Sequence, residues 1–416
     1  MCDMNDAQRT SALHSACKNG NLTLVEKILS SENADIDALR TEHQVSRTAL
    51  HLASAYGEIQ VVQLLLKVGA NPLKENSAGR TSLHEACTGG HTETLRQLLK
   101  YTESVDQFDH QGQTAAHTAA YHGEKKCLSL LIDKNCDLNV VDYHLCTPAH
   151  LAAKQNHSDT LNCLLKSGKV DIMKSDRHGR TPVHFAAMFG SLECLKVFKK
   201  HEVDLLVVDN DSAMVQHLAV AGGHLECLKY LMKLGIPLTK KDNAGRISSH
   251  YAAQKGSLAC LHWLLDQDMD ANATDNSGNT PAHRAASGHM SALACLINHA
   301  ANISLTNHQG DTPEALSKKQ GHTTGYRMAV TGKIQCSFCV KQKEQHKHDV
   351  DHQHSFAENC IDLEKTTIFK MPIKKSRAPI SKKMSESGQC ALRQTIKTRN
   401  ISTQFYGEHL LTNEFF

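Results

Sequence analysis

The chain has 416 residues, 45.8 kDa, 40% hydrophobic and 5% aromatic residues, and a formal charge of +3 from 46 basic and 43 acidic side chains. So balanced a charge gives no global field for nucleic acid or membrane, and no apolar run approaches the roughly 18–20 residues a membrane span needs. The opening Met1-Cys2-Asp3-Met4-Asn5-Asp6 lacks a signal peptide's basic and apolar regions. The 15 cysteines therefore read as reduced thiols of a cytoplasmic or nuclear protein and not as a disulfide framework.

One spacing dominates the chain. A histidine followed two residues later by Ala or a similar small residue occurs at His14, His51, His84, His117, His150, His184, His217, His250 and His283. The steps are 37, 33, 33, 33, 34, 33, 33 and 33 residues. Near-equal periods of this length signal stacked repeats. In the clearest unit, Thr181 is placed to cap a helix and Pro182 to open it, where its missing N–H costs nothing. Ala186 and Ala187 allow close helix contact, and Gly190 ends the helix. Leu192, Leu195 and Phe198 then line a second amphipathic helix. Asp176-Arg177-His178-Gly179 reads as the turn before the unit. A single pair would leave an apolar side open, and stacking covers it.

Segments such as RTPVHFAA and CTPAHLAA resemble the ankyrin repeat, whose signature is T-P-L-H-x-A in a 33-residue unit. The resemblance implies an all-α solenoid of about nine to ten helix-turn-helix repeats with a concave protein-binding face and no catalytic activity. The expected units run near 7–46, 47–79, 80–112, 113–145, 146–179, 180–212, 213–245, 246–278 and 279–310, with a capping repeat at 311–322. A basic, Cys- and His-containing tail, largely disordered, is expected over 323–416. In the resembling family the motif histidines bridge backbone groups of neighbouring units, so all nine read as structural.

Departures from the period carry expectations of their own. The long first step places an insertion near Asn33–His43. The seventh and eighth units lack the Thr-Pro pair, and Ser212 replaces the turn glycine, so the stack should be weaker there. Cys127, Cys194, Cys227 and Cys260 each lie ten residues after a motif histidine and read as small buried hydrophobes.

Partner contact is expected at the turn tips and late in the first helices. Those positions hold Tyr56, Arg80, Tyr121, Tyr143, Arg177, Met188 and Phe189, which belong to types enriched at interfaces. The expected ligand is a protein, with no small-molecule substrate, no membrane insertion, no nucleic acid and no required cofactor.

The tail holds 15 basic and 9 acidic residues, or +6. Within it Cys336, Cys339, His348 and His352 have zinc-like spacing, C-x2-C-x8-H-x3-H. The middle gap is shorter than in a standard finger, and a His-rich segment that binds metal adventitiously is the other reading. Seven basic residues and no acid between Lys365 and Lys383 suit a nuclear-import signal or a solvated linker. The leading functional expectation is a non-catalytic scaffold or adaptor. The alternatives are a zinc-binding or nuclear regulator acting through its tail, and a substrate-recruiting subunit of an enzyme complex.

Overall fold

The computed structural model describes residues 6–30, 35–42 and 45–342. The chain divides into two compact units, Met1–His352 and Gln353–Phe416, and every described residue belongs to the first. The expected disorder of the tail beyond residue 342 and its basic stretch lie outside the described residues.

Ten helix pairs follow one another. They are α1 (Asp6–Lys18) with α2 (Leu22–Leu29), α3 (Ala49–Tyr56) with α4 (Ile59–Val68), α5 (Ser82–Thr88) with α6 (Thr92–Leu98), and α7 (Ala115–His122) with α8 (Lys125–Asp133). The next are α9 (Pro148–Lys154) with α10 (Ser158–Lys166), α11 (Pro182–Met188) with α12 (Leu192–Lys200), and α13 (Val215–Ala221) with α14 (Leu225–Lys233). The last are α15 (Ser248–Lys255) with α16 (Leu258–Asp266), α17 (Pro281–Ala285) with α18 (Met290–Asn298), and α19 (Pro313–Lys319) with α20 (Thr323–Val330). First helices pack on first helices of adjacent repeats, and second helices on second helices.

The tenth repeat is longer than the 311–322 cap read from the sequence. Residues after His322, assigned there to the flexible tail, form α20, whose Tyr326 and Ala329 are buried. The long first step is taken up by a hairpin, β1 (Arg40–Glu42) with β2 (Val45–Arg47), antiparallel with Arg40 opposite Arg47. The ninth repeat shortens its first helix to Pro281–Ala285.

Each helix pair forms for local reasons. Thr181 caps α11 and Pro182 opens it; Gly190 then turns the chain at φ +75°, a value glycine adopts without strain. In α12, Cys194, Leu195 and Phe198 form the buried stripe. A fully buried leucine or phenylalanine contributes about 1.5–3 kcal/mol, and Phe198, Leu65, Leu95, Leu98, Leu128, Leu131, Leu161 and Leu164, all on second helices, are among the largest fully buried side chains. Before each first helix from α5 to α19 an Asp or Asn ties the turn: Asp176 Oδ1 accepts from the His178 and Arg180 N–H groups, both at 2.8 Å.

The core falls into two clusters that meet inside repeat seven. Val215, Ala219, Cys227 and Leu231 belong with repeats one to six. Ala213, Val220 and Leu228 belong with repeats eight to ten and with Tyr326, Cys336 and Cys339.

Candidate protein-interaction face

The motif histidines set the spacing of the stack. His51 Nδ1 accepts the Thr48 N–H at 3.2 Å and lies 2.8 Å from the Thr48 hydroxyl. Its Nε2 lies 2.8 Å from the Arg80 carbonyl of the next repeat. With Nδ1 receiving the amide, Nε2 must carry the proton and donate to that carbonyl. His84, His117, His150, His250 and His283 repeat the bridge to Gln113, Cys146, Arg180, Asn279 and Asp311. Burial lowers the pKa of the eight motif histidines from His51 to His283, to about 4 at His84, His150, His184 and His250. His14 joins the series differently, with Nδ1 2.7 Å from the Thr10 carbonyl and Nε2 2.8 Å from that of Arg47.

A second set of histidines escaped the sequence reading. His91, His157 and His224 begin second helices and bond through Nε2 to the Ala55, Tyr121 and Met188 carbonyls, at 2.9, 3.0 and 3.0 Å. Each therefore pins the end of the first helix one repeat earlier. The signal was present in the sequence, because each lies seven residues after a motif histidine, in alternate repeats.

On those pinned ends sit most of the expected contact residues. Tyr56 is 49% exposed, Tyr121 40% and Phe189 36%, on repeats two, four and six. Lys18 Nζ lies 5.3 Å from the Tyr56 ring centre, and Lys154 Nζ 5.1 Å from that of Phe189. Met188 is half-buried, with Sδ 3.7 Å from Arg180 Nη1. Tyr143, 70% exposed, stands apart on a turn tip.

The arginines differ from the aromatics. Arg80 is committed within its own repeat, with Nε 3.3 Å from buried Glu85 and Nη2 bonded to Thr88 and the His84 carbonyl. Arg177 Nη2 donates to the Tyr143 carbonyl at 2.7 Å and lies 3.0 Å from His144 Nδ1. That contact stands where neighbouring tips have a backbone bond, such as His110 N–H to the Ala78 carbonyl. It falls at the one 34-residue step. Arg80 thus braces its own repeat and Arg177 ties neighbouring tips, leaving the rings as the prominent exposed side chains.

Sequence profiles for "Ankyrin repeats (3 copies)" match residues 1–76, 69–142 and 149–242, well over half of the chain. The chain belongs to the ankyrin-repeat family. Profiles for "Ankyrin repeats (many copies)" and "Ankyrin repeat" match 249–288 and 277–308. Ankyrin repeats are in general protein-interaction modules.

Curated relatives share only short stretches with this ankyrin-repeat chain. Tyrosine-protein kinase HTK16 of Hydra vulgaris is 51% identical over 43 residues, which is 10% of this chain and 6% of the kinase. Palmitoyltransferase AKR1 of Lachancea kluyveri is 36% identical over 70 residues, 17% of this chain and 9% of the transferase. Stretches this short bring neither named activity to the chain. Among the described residues no helix is long and apolar enough to cross a membrane.

The buried cysteines behave as expected for small hydrophobes at three of the four repeat positions. Burial pushes the Cys194 and Cys260 thiols up to about 12 and that of Cys227 to about 11. Cys127 is the exception, lowered by a hydrogen bond from the Cys87 thiol. Of the four metal candidates, Cys336 and Cys339 are buried on the last repeats against Cys295 and His262. His348 and His352 lie outside the described residues.

Proposed function

We propose that the protein is a non-catalytic scaffold or adaptor that takes a protein partner along the concave face lined by its first helices. The carrying observation is the row of exposed rings, Tyr56, Tyr121 and Phe189, at the pinned ends of three alternate first helices. Rigid aromatic side chains lose little entropy when covered, which is why they anchor interfaces. With Lys18 and Lys154 over two of the rings, the face suits a segment that pairs apolar anchors with Asp or Glu. Binding leaves the partner chemically unchanged and requires no cofactor. The reading places the protein in a reducing compartment, cytoplasm or nucleus.

The test is the affinity of a partner isolated by cross-linking to the full chain. Tyr121→Ala, Met188→Ala and Phe189→Ala combined should weaken binding at least about tenfold, since several anchor truncations of 1 kcal/mol or more are involved. The helical circular-dichroism signal should be unchanged. Undiminished affinity in the triple variant would reject this face.

A further inference from the structure

We propose that His262, Cys295, Cys336 and Cys339 form a structural zinc site that fastens the segment after the last repeat onto repeats eight and nine. His262 comes from α16, Cys295 from α18, and the two remaining cysteines from the chain after α20, where residues 337–342 are helical. All four are buried, and their ligand atoms lie within 4.8 Å of one another.

His262, Cys295 and Cys339 have the spacing of three corners of a tetrahedral zinc centre, and the Cys336 sulfur lies within 4.8 Å of each. Zn–S bonds of about 2.3 Å and a Zn–N bond of about 2.0 Å put tetrahedral sulfurs about 3.8 Å apart, and sulfur about 3.5 Å from nitrogen. The Cys339 and Cys295 sulfurs are 3.8 Å apart. His262 Nδ1 is 3.5 Å from Cys339 Sγ and 3.8 Å from Cys295 Sγ. Thiolate donors with one imidazole favour zinc over magnesium or calcium. Four protein ligands leave no open position, which marks a structural and not a catalytic site.

Its surroundings fit the same ion. His262 Nε2 lies 3.4 Å from Asp266 Oδ2, so the carboxylate holds the proton on Nε2 and turns the Nδ1 lone pair toward the sulfurs. The backbone N–H groups of Phe338 and Cys339 bond to the Cys336 sulfur, an arrangement suited to a thiolate. The Phe338 ring stacks on His262 at 5.6 Å and 23°, covering it. Zinc enters as the divalent ion, three thiol protons leave to solvent, and His262 binds neutral.

Cys295 lies off the register of the recurring helix cysteines, at the position that half-buried Cys163 takes in α10. The third residue of the second helix is Cys127, Cys194, Cys227 or Cys260 in four repeats, but Ala292 in α18. Cys295 is the sixth residue, off that register and facing the cluster. His299 Nε2 also approaches, 3.9 Å from Cys339 Sγ and 3.4 Å from His262 Nδ1. It is not one of the four atoms that close on one another, and it stands beside Asp266 at 3.8 Å. The site keeps the cysteine pair marked by the sequence and exchanges His348 and His352 for two residues from within the repeats.

The experiment uses the full chain purified without chelator. Elemental analysis should find one zinc per chain. Exchange with cobalt(II) should give the intense visible bands of a tetrahedral centre, with sulfur-to-metal charge transfer in the near ultraviolet. Cys295→Ser and Cys339→Ser should lose the metal and the charge-transfer band. His299→Ala, and His348→Ala with His352→Ala, should keep both. The wild-type cobalt spectrum tests the geometry even where a cysteine variant fails to fold. A metal-free wild type, a six-coordinate cobalt spectrum, or metal kept by Cys295→Ser and lost with His348 and His352 would each overturn the proposal.

Discussion

The junction between repeats three and four and the junction between six and seven use the same histidine on different terms. His84 Nε2 reaches the Gln113 carbonyl at 3.1 Å, and the next residue, Thr114, caps α7 with its hydroxyl 3.0 Å from His117 Nδ1. The turn before it closes on Gly112 at φ +74°. At the later junction, His184 Nε2 faces the Ala213 carbonyl outside good hydrogen-bond geometry. There Met214 takes the capping position and Ser212 the glycine position, at φ +57°. One junction on, Ile247 caps α15, and His217 turns to the Lys240 carbonyl instead of that of Arg246. Both irregular bridges end on a receiving repeat without a capping Thr. A cap without a hydroxyl bonds the imidazole of its own repeat through its backbone N–H alone, as Met214 does to His217 Nδ1 at 2.9 Å and Ile247 to His250 Nδ1 at 3.3 Å, so the turn end that should present the carbonyl loses the hydroxyl tie. The two core clusters divide in this same repeat. In a stack held only by neighbouring contacts, that is where cooperativity should break first.

Acid is the most forceful way to test the comparison. The buried histidines have folded pKa values below the ordinary 6.5. Protonation therefore favours the unfolded chain: the stability they confer is present above pH 6.5 and lost as pH falls toward about 4. For each of the four held near 4, the loss by pH 5 is about 2 kcal/mol. Together these rival the whole stability of a domain. The melting temperature should drop steeply between pH 7.5 and 5, with amides of repeats seven and eight exchanging before those of repeats two to five. An unchanged melting temperature would mean the imidazoles are not held neutral by burial.

Damage to a regular turn should be smaller and local. Gly79 has φ +74°, and a Cβ there would stand 2.7 Å from the His110 backbone nitrogen. Backbone cannot step aside as a side-chain end can. Gly79→Ala should cost about 2 kcal/mol or more, combining left-handed strain with the clash. Urea unfolding should then show repeats one to three separating from the rest, giving the regular half a break like that at repeat seven. A loss under about 0.5 kcal/mol, the usual range for surface changes, would show that the tip contacts carry little of the coupling.

The family, the period and the irregular units were legible because an ankyrin repeat reads locally. Thr, Pro, His and Gly each act on their own turn, so spacing along the chain equals spacing in the fold. Tyr56, Tyr121 and Phe189 were legible as exposed for the same reason. Arg80 and Arg177 were not: Arg80 folds back on Glu85 and Thr88 of its own repeat, and the Tyr143 carbonyl comes within reach of Arg177 only when the repeats stack. The zinc candidate shows the limit most plainly. Cys336 and Cys339 announce themselves by two-residue spacing, whereas Cys339 meets His262 across 77 residues of chain, a neighbour that only the stacking of repeats eight to ten provides.

The smallest expected effect separates two causes of the weak junction. Ser212 holds a left-handed conformation that costs a non-glycine residue roughly 1–2 kcal/mol. Part of the gain from Ser212→Gly is offset by the greater freedom of glycine in the unfolded chain, roughly 0.5–1 kcal/mol. The expected net stabilisation is therefore a few tenths of a kcal/mol to about 1 kcal/mol, read by urea unfolding. If turn strain alone displaces the Ala213 carbonyl, relieving it should also restore the His184 bridge, and repeat seven should exchange amide hydrogens as slowly as repeat four. If the missing Thr is the cause, the stability gain should appear while repeat seven stays fast, because Met214 still offers no hydroxyl. Leu145→Gly supplies the control: Leu145 has φ +63°, yet Thr147 follows two residues later and the His117 bridge to Cys146 is intact at 3.1 Å. Strain without loss of the bridge at that turn favours the missing Thr as the cause at repeat seven, and Leu145→Gly should leave the exchange of repeat five unchanged.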